Sequence, residues 1–221
     1  MTARIPLICI TGTSAAGKTH FSRNLAEALV QMGHQPVVIA SDDYYRKDWV
    51  PDPIYGYDTI AAIDTETLTS ELEGLSQGNL QQRRQYDMGT KAVSWTDVSP
   101  GWDLVILEGA FGPQVLLEHR PPDLLVYIET SLTLRILRRL RRDTRERNRS
   151  ILSILDQTWN NMIPGERDFI QPLKRQADVI IRNPERDLKT VLNRWSELKR
   201  SDDRFFNGID SGLTDADDQE G

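Results

Sequence analysis

The sequence predicts an α/β fold in which helices cover both faces of a parallel sheet of five strands. Five short segments along the chain are almost continuously apolar, which is typical of strands buried on both faces of a parallel sheet. Segments with helical periodicity follow the first and the last of these strands, and alternation of strands with helices is typical of α/β proteins. The length of 221 residues suits one domain with its own core.

The first strand is predicted at residues 5–10, and an amphipathic helix follows it. One face of that helix carries apolar residues four, three and four positions apart, namely Phe21, Leu25, Ala28 and Met32. Gly33 is the residue type that commonly ends a helix. The other strands are predicted at residues 37–40, 104–107, 124–128 and 179–181. After the last strand, Asn183 and Pro184 predict the cap and the first turn of a final helix.

Two long segments interrupt this alternation. Residues 44–102 contain eight of the sixteen aromatic residues and are far longer than an ordinary connection. We predict a functional insertion there, and a poorly ordered loop is the alternative. Residues 135–149 contain eight arginines and two acidic residues. The acidic segment 201–221 is predicted to be a disordered tail, which leaves residues 1–200 for the folded domain.

Charge and composition exclude several classes of protein. The net charge is −6, so the chain is not basic overall, as many nucleic-acid-binding proteins are. No apolar run approaches the roughly 20 residues that span a bilayer, and the apolar run near the N-terminus is too short for a secretory signal. One cysteine and three histidines supply neither an internal disulfide nor a Cys/His zinc site. We therefore expect a cytoplasmic protein that binds neither nucleic acid nor membranes.

A phosphate-binding loop is predicted between the first strand and the first helix. The segment G-T-S-A-A-G-K-T fits the pattern G-x-x-x-x-G-K-[ST]. Its glycines allow backbone N–H groups to point at a polyphosphate, and the following helix presents its positive end to the same anion. Lys18 would reach the β- and γ-phosphates of ATP, and the Thr19 hydroxyl would bind Mg²⁺. Eight residues are therefore predicted to bind ATP: Gly12, Thr13, Ser14, Ala15, Ala16, Gly17, Lys18 and Thr19.

Acidic residues follow the second and third strands, at the sheet edge where open α/β sheets bind ligands. Asp42 and Asp43 come directly after the second strand, and one of the two carboxylates could accept the proton of an attacking hydroxyl group. A capping or turn aspartate is the alternative. Glu108 follows the third strand and is predicted to bind Mg²⁺ directly or through water, with an ordinary strand-end acid as the alternative.

The arginine-rich segment follows the fourth strand and contains no lysine. Guanidinium groups bind phosphate oxygens in a planar, bidentate way, and such donors match the charge that develops on a transferring phosphoryl group. A solvated helix face and a nucleic-acid-binding patch are the alternatives. No basic surface elsewhere in the sequence supports a nucleic-acid-binding patch.

Five motifs in order resemble those of the uridine/cytidine kinases, which belong to the P-loop small-molecule kinases together with the phosphoribulokinases. The motifs are the phosphate loop, S-D-D-Y-Y, V-I-L-E-G, R-R-D-T-R-E-R-N-R and A-D-V-I-I, and they span about residues 5–183. The resemblance implies the P-loop NTPase fold, ATP and Mg²⁺ as cofactors, an aromatic-rich substrate insertion, and an arginine-rich lid at about residues 138–150. Members of the family often assemble, so a homo-oligomer is left open.

The resemblance also assigns roles to single residues of this sequence. Asp42 falls on the family's proposed catalytic base, and Glu108 on an acid near the metal. Asp58 matches an aspartate that holds the ribose hydroxyls. Tyr86 matches a tyrosine that contacts the nucleobase, and Gln157 a glutamine that contacts the substrate.

Four arginines receive roles by the same resemblance. Arg139 and Arg149 match arginines that face the nucleoside. Arg142 and Arg147 match lid arginines that face the triphosphate. The resemblance therefore implies that Arg142 and Arg147 act in catalysis with Lys18 and the carboxylate that follows the second strand.

The sequence departs from the family pattern in and beside the acceptor pocket. Lys91 stands where nucleoside kinases have a histidine, and Met88 where an aromatic residue usually packs on the base. Asp43 replaces a serine, and T-I-A-A-I-D at residues 59–64 replaces H-P-D-A-F-D. Lys91 is predicted to contact the acceptor, and its positive charge suits an acceptor that carries an acidic group.

Three functions are consistent with these patterns. The first is an ATP-dependent kinase that phosphorylates the 5′-hydroxyl of a nucleoside, uridine or cytidine first. The second is a related kinase for another small hydroxyl compound, such as nicotinamide riboside, pantothenate or a sugar phosphate. The third is a regulatory module that depends on a nucleoside triphosphate and has no acceptor. The lack of an N-K-x-D element for reading guanine and the aromatic-rich insertion argue against the third.

Overall fold

The computed structural model describes residues 4–146 and 149–210 of the chain. Its centre is a sheet of five parallel strands in the order β2-β5-β1-β6-β7, and a separate antiparallel hairpin is formed by β3 and β4. The strands are β1 Leu7–Gly12, β2 Pro36–Ala40, β3 Gln82–Tyr86, β4 Val93–Asp97, β5 Leu104–Glu108, β6 Leu124–Ile128 and β7 Val179–Ile181. The five predicted strands and their parallel arrangement are confirmed, with boundaries that move by at most two residues.

Helices connect the strands and cover both faces of the sheet. They are α1 Lys18–Gln31, α2 Thr65–Ser76, α3 Pro113–His119, α4 Leu132–Glu146, α5 Ile151–Gln157, α6 Ile163–Gly165 and α7 Leu188–Asp210. Wider, π-helical turns flank α6 at Thr158–Met162 and Glu166–Ile170. Helices α5 and α6 and these turns therefore form one winding segment, which passes beside the carboxyl edge of the sheet.

The apolar patterns of the strands explain the two core layers. Strands β1, β5 and β6 are buried along their whole length, because α1 and α7 pack on one face through Phe21, Leu25 and Trp195. Helix α2 covers the other face through Leu68 and Leu72. Because β1 is the central strand, the loop that follows it emerges in the middle of the carboxyl edge.

The ends of two helices differ in how well the sequence predicts them. Gly33 follows the end of α1 with a φ of +91°, so the predicted stop is confirmed. Asn183 makes the hydrogen bonds predicted for a cap, because its side chain accepts from the N–H groups of Glu185 and Arg186, two and three residues later. These bonds close a turn at residues 184–187 that precedes the regular helix. Helix α7 begins only at Leu188.

The aromatic-rich segment 44–102 forms ordered structure, which includes α2 and the β3–β4 hairpin. The buried Arg84 of β3 donates to the carbonyl oxygens of Asp43, at 2.8 Å, and Tyr45, at 2.7 Å. Glu71 of α2 accepts hydrogen bonds from the Arg84 N–H and from the Tyr44 hydroxyl. These contacts fix the hairpin against the residues that directly follow β2.

The predicted lid and the predicted acidic tail both include residues outside the described part of the chain. The predicted lid, residues 138–150, comprises the end of α4 and the start of the next segment, and residues 147–148 lie outside the described part of the chain. Helix α7 extends to Asp210, ten residues into the segment 201–221 for which we predict disorder, and residues 211–221 are not described. No helix in the described ranges is long and apolar enough to cross a bilayer.

Candidate active site

The phosphate loop lies between β1 and α1, as its motif requires. Gly12 has a φ of +143°, and a Cβ atom on it would lie 2.4 Å from the carbonyl oxygen of Ile128 in the neighbouring strand. Gly17 has a φ of +102° and immediately precedes α1. Only glycine suits either position. The loop therefore has the shape of a phosphate cradle, and ATP binding by its eight residues stays a prediction.

Lys18 lies folded over this loop. Its ammonium group donates to the carbonyl oxygens of Gly12 and Thr13, each at 3.0 Å. Burial lowers the pKa of Lys18, and the negative charges of Glu108 and Asp42 oppose this effect. The lysine is thus held at the loop by contacts that a phosphate group could replace.

The two predicted metal-binding residues lie in direct contact. The Thr19 hydroxyl donates to Oε1 of Glu108 at 2.8 Å, because α1 begins next to the end of β5. Burial raises the pKa of Glu108, and the charge of Asp42 adds to this effect. No group of three or more His, Cys, Asp or Glu side chains suited to a metal occurs in the described residues. Mg²⁺ commonly takes one or two protein oxygens and completes its shell with phosphates and water, and this pair fits that pattern.

The structure distinguishes Asp42 from Asp43. The Asp43 carboxylate accepts the backbone N–H of Tyr86 at 3.2 Å and so joins the hairpin to the end of β2. Burial raises the pKa of Asp43. Asp42 is exposed and makes no hydrogen bond within the described part of the chain. Its charge acts on the pKa values of both Lys18 and Glu108, which fits a carboxylate near the phosphate loop, and its role as the catalytic base stays a prediction.

Asp58 is a buried acid that is predicted to hold the acceptor. The residue is 9% exposed, and its Oδ2 has no hydrogen-bond partner among the described residues. Burial raises its pKa to about 6, and the positive charge of Arg139 opposes that shift. A buried carboxylate oxygen without a partner is costly, so this oxygen is available to a ligand that donates hydrogen bonds.

The arginine-rich segment is organised by one buried acid rather than being a solvated helix face. Asp143 is fully buried, and its carboxylate lies 2.8 Å from Arg142, 3.6 Å from Arg139 and 4.0 Å from Arg149. Oε1 of Gln157 accepts hydrogen bonds from both Arg139 and Arg149. The structure therefore brings together four of the residues that we predict from the sequence.

Arg147, the remaining predicted lid arginine, lies outside the described residues, and its role in catalysis stays a prediction. The pairing of Asp143 with several arginines was not predicted from the sequence, in which Asp143 only reduces the net positive charge of the arginine-rich segment. A signal was available, because one acid within a run of guanidinium groups is well placed to pair with several of them.

Tyr86 and Lys91 lie at the tip of the hairpin, next to the residues that precede Asp58. The Lys91 ammonium donates to the Tyr57 hydroxyl at 2.9 Å and lies 5.5 Å from the centre of the same ring. The rings of Tyr45 and Tyr86 are 6.0 Å apart. Lys91 therefore contacts the residue that precedes Asp58, and contact of Asp58, Tyr86 and Lys91 with an acceptor stays a prediction.

Glu166 and Arg135 are among the residues that contact the phosphate loop and were not predicted. Oε1 of Glu166 accepts the backbone N–H of Ser14 at 2.9 Å and pairs with Arg135 at 2.6 Å. Both side chains are buried. Glu166 belongs to the winding segment between α6 and β7, and no local sequence pattern marks an acid there as part of the site.

Comparison with known proteins decides the family. Residues 7–189 match the model of the Phosphoribulokinase / Uridine kinase family. The chain belongs to this family. It is 32% identical over 192 residues to the uridine kinase of Oceanobacillus iheyensis, which covers 82% of this chain and 88% of the relative. It is 34% identical over 181 residues to the uridine kinase of Staphylococcus aureus, with coverages of 79% and 86%.

Solved structures of similar shape agree with membership of the phosphoribulokinase/uridine kinase family at the level of the fold. A possible uridine kinase from Bacillus stearothermophilus superposes with a TM-score of 0.57 at 19% identity, over 82% of this chain and 90% of that one. D-glycerate 3-kinase from Cryptococcus neoformans gives a TM-score of 0.54 at 15% identity, over 72% and 78%. With these family relatives, the chain is identified as an ATP-dependent kinase of the P-loop class, and the alternative of a regulatory module without an acceptor is not supported.

Proposed function

We propose that this kinase transfers the γ-phosphoryl group of ATP to the 5′-hydroxyl of a nucleoside, with uridine or cytidine as the first candidates. The observation that carries the proposal is Asp58, whose buried carboxylate has an oxygen with no hydrogen-bond partner among the described residues and whose pKa is raised by burial and lowered by the positive charges of Arg139 and Arg149. Such a group suits the two vicinal hydroxyls of a ribose, because both can donate to one carboxylate. The similarity to enzymes named uridine kinase supports the same acceptor.

The triphosphate would bind along the backbone N–H groups of the phosphate loop, with Lys18 leaving its two carbonyl contacts to reach the phosphates. Thr19 and Glu108 would hold Mg²⁺, since their oxygens already lie 2.8 Å apart. The ion would neutralise charge on the phosphate oxygens. Arg142 at the end of α4 would approach the triphosphate from the lid side, and we assign the same role to Arg147.

In the transfer step, the acceptor hydroxyl oxygen forms a bond to the γ-phosphorus, and the bond between that phosphorus and the β–γ bridging oxygen breaks. Asp42 takes the hydroxyl proton, and the bridging oxygen leaves on ADP. Asp42 suits this role because it is exposed and makes no hydrogen bond within the described residues. Positioning and electrostatic stabilisation supply most of the rate enhancement for this type of reaction.

The base would lie against Tyr86, and Gln157 would keep Arg139 and Arg149 in place against the nucleoside. Gln157 accepts hydrogen bonds from both guanidinium groups, so its amide nitrogen stays available to the substrate. Uridine and cytidine differ only in the groups at one edge of the ring. We therefore expect the contacts with the sugar to supply most of the acceptor binding.

The test is an ADP-release assay with uridine and cytidine, in which Asp42→Ala is compared with Asp48→Ala. Asp48 is an exposed aspartate of the same segment and serves as the matched control. We expect Asp42→Ala to reduce kcat by about 100-fold or more with little change in the KM for ATP, and Asp48→Ala to keep full activity. Full turnover by Asp42→Ala would remove this residue from the mechanism.

Lys91 favours a second candidate, in which the acceptor carries an acidic group. Its exposed ammonium lies beside the Tyr57 hydroxyl, where it could pair with a carboxylate or phosphate. A panel of uridine, cytidine, nicotinamide riboside, pantothenate and ribulose 5-phosphate separates the two candidates. The nucleoside proposal would be replaced if the enzyme phosphorylates an acidic compound and not uridine, and if this activity falls in Lys91→Met.

A further inference from the structure

A buried ion pair between Glu166 and Arg135 makes hydrogen bonds with the backbone of the phosphate loop. Oε1 of Glu166 accepts the Ser14 N–H at 2.9 Å, and Nη1 of Arg135, which pairs with the same oxygen at 2.6 Å, also donates to the Ser14 carbonyl oxygen at 3.3 Å. The N–H group and the carbonyl oxygen of Ser14 are therefore both hydrogen-bonded to the same ion pair. Arg135 belongs to α4, which leads into the predicted lid, and Glu166 to the winding segment that follows α5.

The residue before Glu166 touches the other half of the site. A Cβ atom on Gly165 would lie 2.1 Å from the carbonyl oxygen of Asp58 and 3.1 Å from its Cβ. Any side chain at position 165 would therefore push the backbone of Asp58 away. Two consecutive residues thus lie against the backbone of Asp58 and against the phosphate loop, and their spacing sets the distance between the two.

This arrangement is unusual for a group whose only task is to stabilise the fold. The side chains of Glu166 and Arg135 are 3% and 8% exposed, and a buried ion pair gives little net stability compared with apolar residues of the same size. The loop it contacts is strained, because Ala15, next to Ser14, has a φ of +59°. Such conformations persist only where the surroundings enforce them. The ion pair holds the peptide groups on either side of Ser14 and so helps to maintain this backbone conformation.

We propose that Glu166 is a positioning residue for phosphoryl transfer. With Arg135 it holds the Ser14 backbone, so that the phosphate loop keeps its binding shape. Through the neighbouring Gly165 it also keeps that loop at a fixed distance from Asp58. The inference rests on the proposed function only for the binding of ATP by the loop and of the acceptor at Asp58. The chemical identity of the acceptor does not enter it.

The first test uses Glu166→Gln, which keeps the size of the side chain and an oxygen for the Ser14 N–H but removes the charge that Arg135 needs. The matched control is Glu197→Gln, which neutralises an exposed partner of Arg194 on α7. We expect Glu166→Gln to weaken the affinity for magnesium-ATP, measured by calorimetry without acceptor, by about tenfold. Hydrogen exchange of a peptide that contains Ser14 should accelerate, and the control should change neither quantity.

A milder variant keeps the test valid if the glutamine variant does not fold. Arg135→Lys retains a positive charge beside Glu166 but has no planar group to reach the Ser14 carbonyl oxygen as well. We expect a severalfold loss of ATP affinity. In the double variant with Glu166→Gln, the losses should not add, because both changes break one unit. Additive losses, or full ATP affinity in the folded single variants, would overturn the proposal.

A pH profile separates positioning of the acceptor site from a general loss of stability. The charged groups that face Asp58 are Arg139 and Arg149, which lower its pKa, and Glu166 and Asp42, which raise it. Neutralising Glu166 should therefore shift the acid limb of kcat/KM for the acceptor to lower pH. An unshifted limb would contradict the link to Asp58. Should the enzyme bind magnesium-ATP but phosphorylate no nucleoside, the proposed acceptor fails, while the calorimetric test of Glu166 keeps its meaning.

Discussion

Replacing Asp58 by asparagine should stabilise the free enzyme and impair it as a catalyst. The carboxylate is buried, and its pKa is raised from 3.8 to about 6. The folded state therefore binds this proton more tightly than the unfolded state does. The stability that comes from protonation is fully present below pH 3.8 and is lost as the pH rises through about 6. Above that pH the wild type carries the whole cost of a buried charge, and the asparagine variant carries none.

The size of the effect follows from the same shift. A difference between 3.8 and about 6 corresponds to about 3 kcal/mol, which for a chain of this length raises Tm by roughly 6–12 °C. The gain should appear at pH 8 and vanish near pH 4. In the same variant, the ribose would lose hydrogen bonds to a charged acceptor, worth about 1.5–3 kcal/mol. The KM for the nucleoside should therefore rise by roughly 10- to 150-fold, with the KM for ATP nearly unchanged.

Urea unfolding of both proteins at pH 4.5 and pH 8, together with initial rates at pH 8, measures these quantities. Asp48→Asn is the matched control, because Asp48 is exposed and its neutralisation should change neither stability nor KM. A variant that is less stable than the wild type at pH 8, or a gain in stability that is the same at both pH values, would refute the explanation based on burial. An increase in KM confined to ATP would refute the assignment of Asp58 to the acceptor.

Three further predictions concern the triphosphate side. Gly12→Ala should abolish binding of magnesium-ATP in calorimetry, because its Cβ would lie 2.4 Å from the Ile128 carbonyl oxygen; a folded variant that binds normally would contradict the close approach. Asp143→Asn should lower kcat by about tenfold or more, since three arginines pair with this buried carboxylate, and unchanged steady-state rates would show that the arginines hold their positions without it. Glu108→Gln should raise the Mg²⁺ concentration needed for half-maximal rate, because it removes the charge beside Thr19; an unchanged magnesium titration would exclude Glu108 from the metal site.

The features predicted correctly from the sequence depend on neighbouring residues along the chain. The five core strands follow from continuous apolar runs, and the phosphate loop from glycines at fixed spacing. The start of the final helix was predicted less precisely, because Asn183 caps the turn at residues 184–187 and the regular helix begins only after that turn. The choice between Asp42 and Asp43 likewise needed the hairpin, which occupies one of the two carboxylates.

The sequence by itself determined the fold class and the position of the phosphate loop, because periodicity and short motifs are local properties of the chain. Only the tertiary structure decided how Asp143 gathers three arginines, why Oδ2 of Asp58 has no partner among the described residues, and that Glu166 reaches Ser14 from 152 positions away. Burial and pairing of charges depend on which distant segments the sheet brings to one edge. No local pattern encodes that proximity, and the electrostatics of the site follow from it.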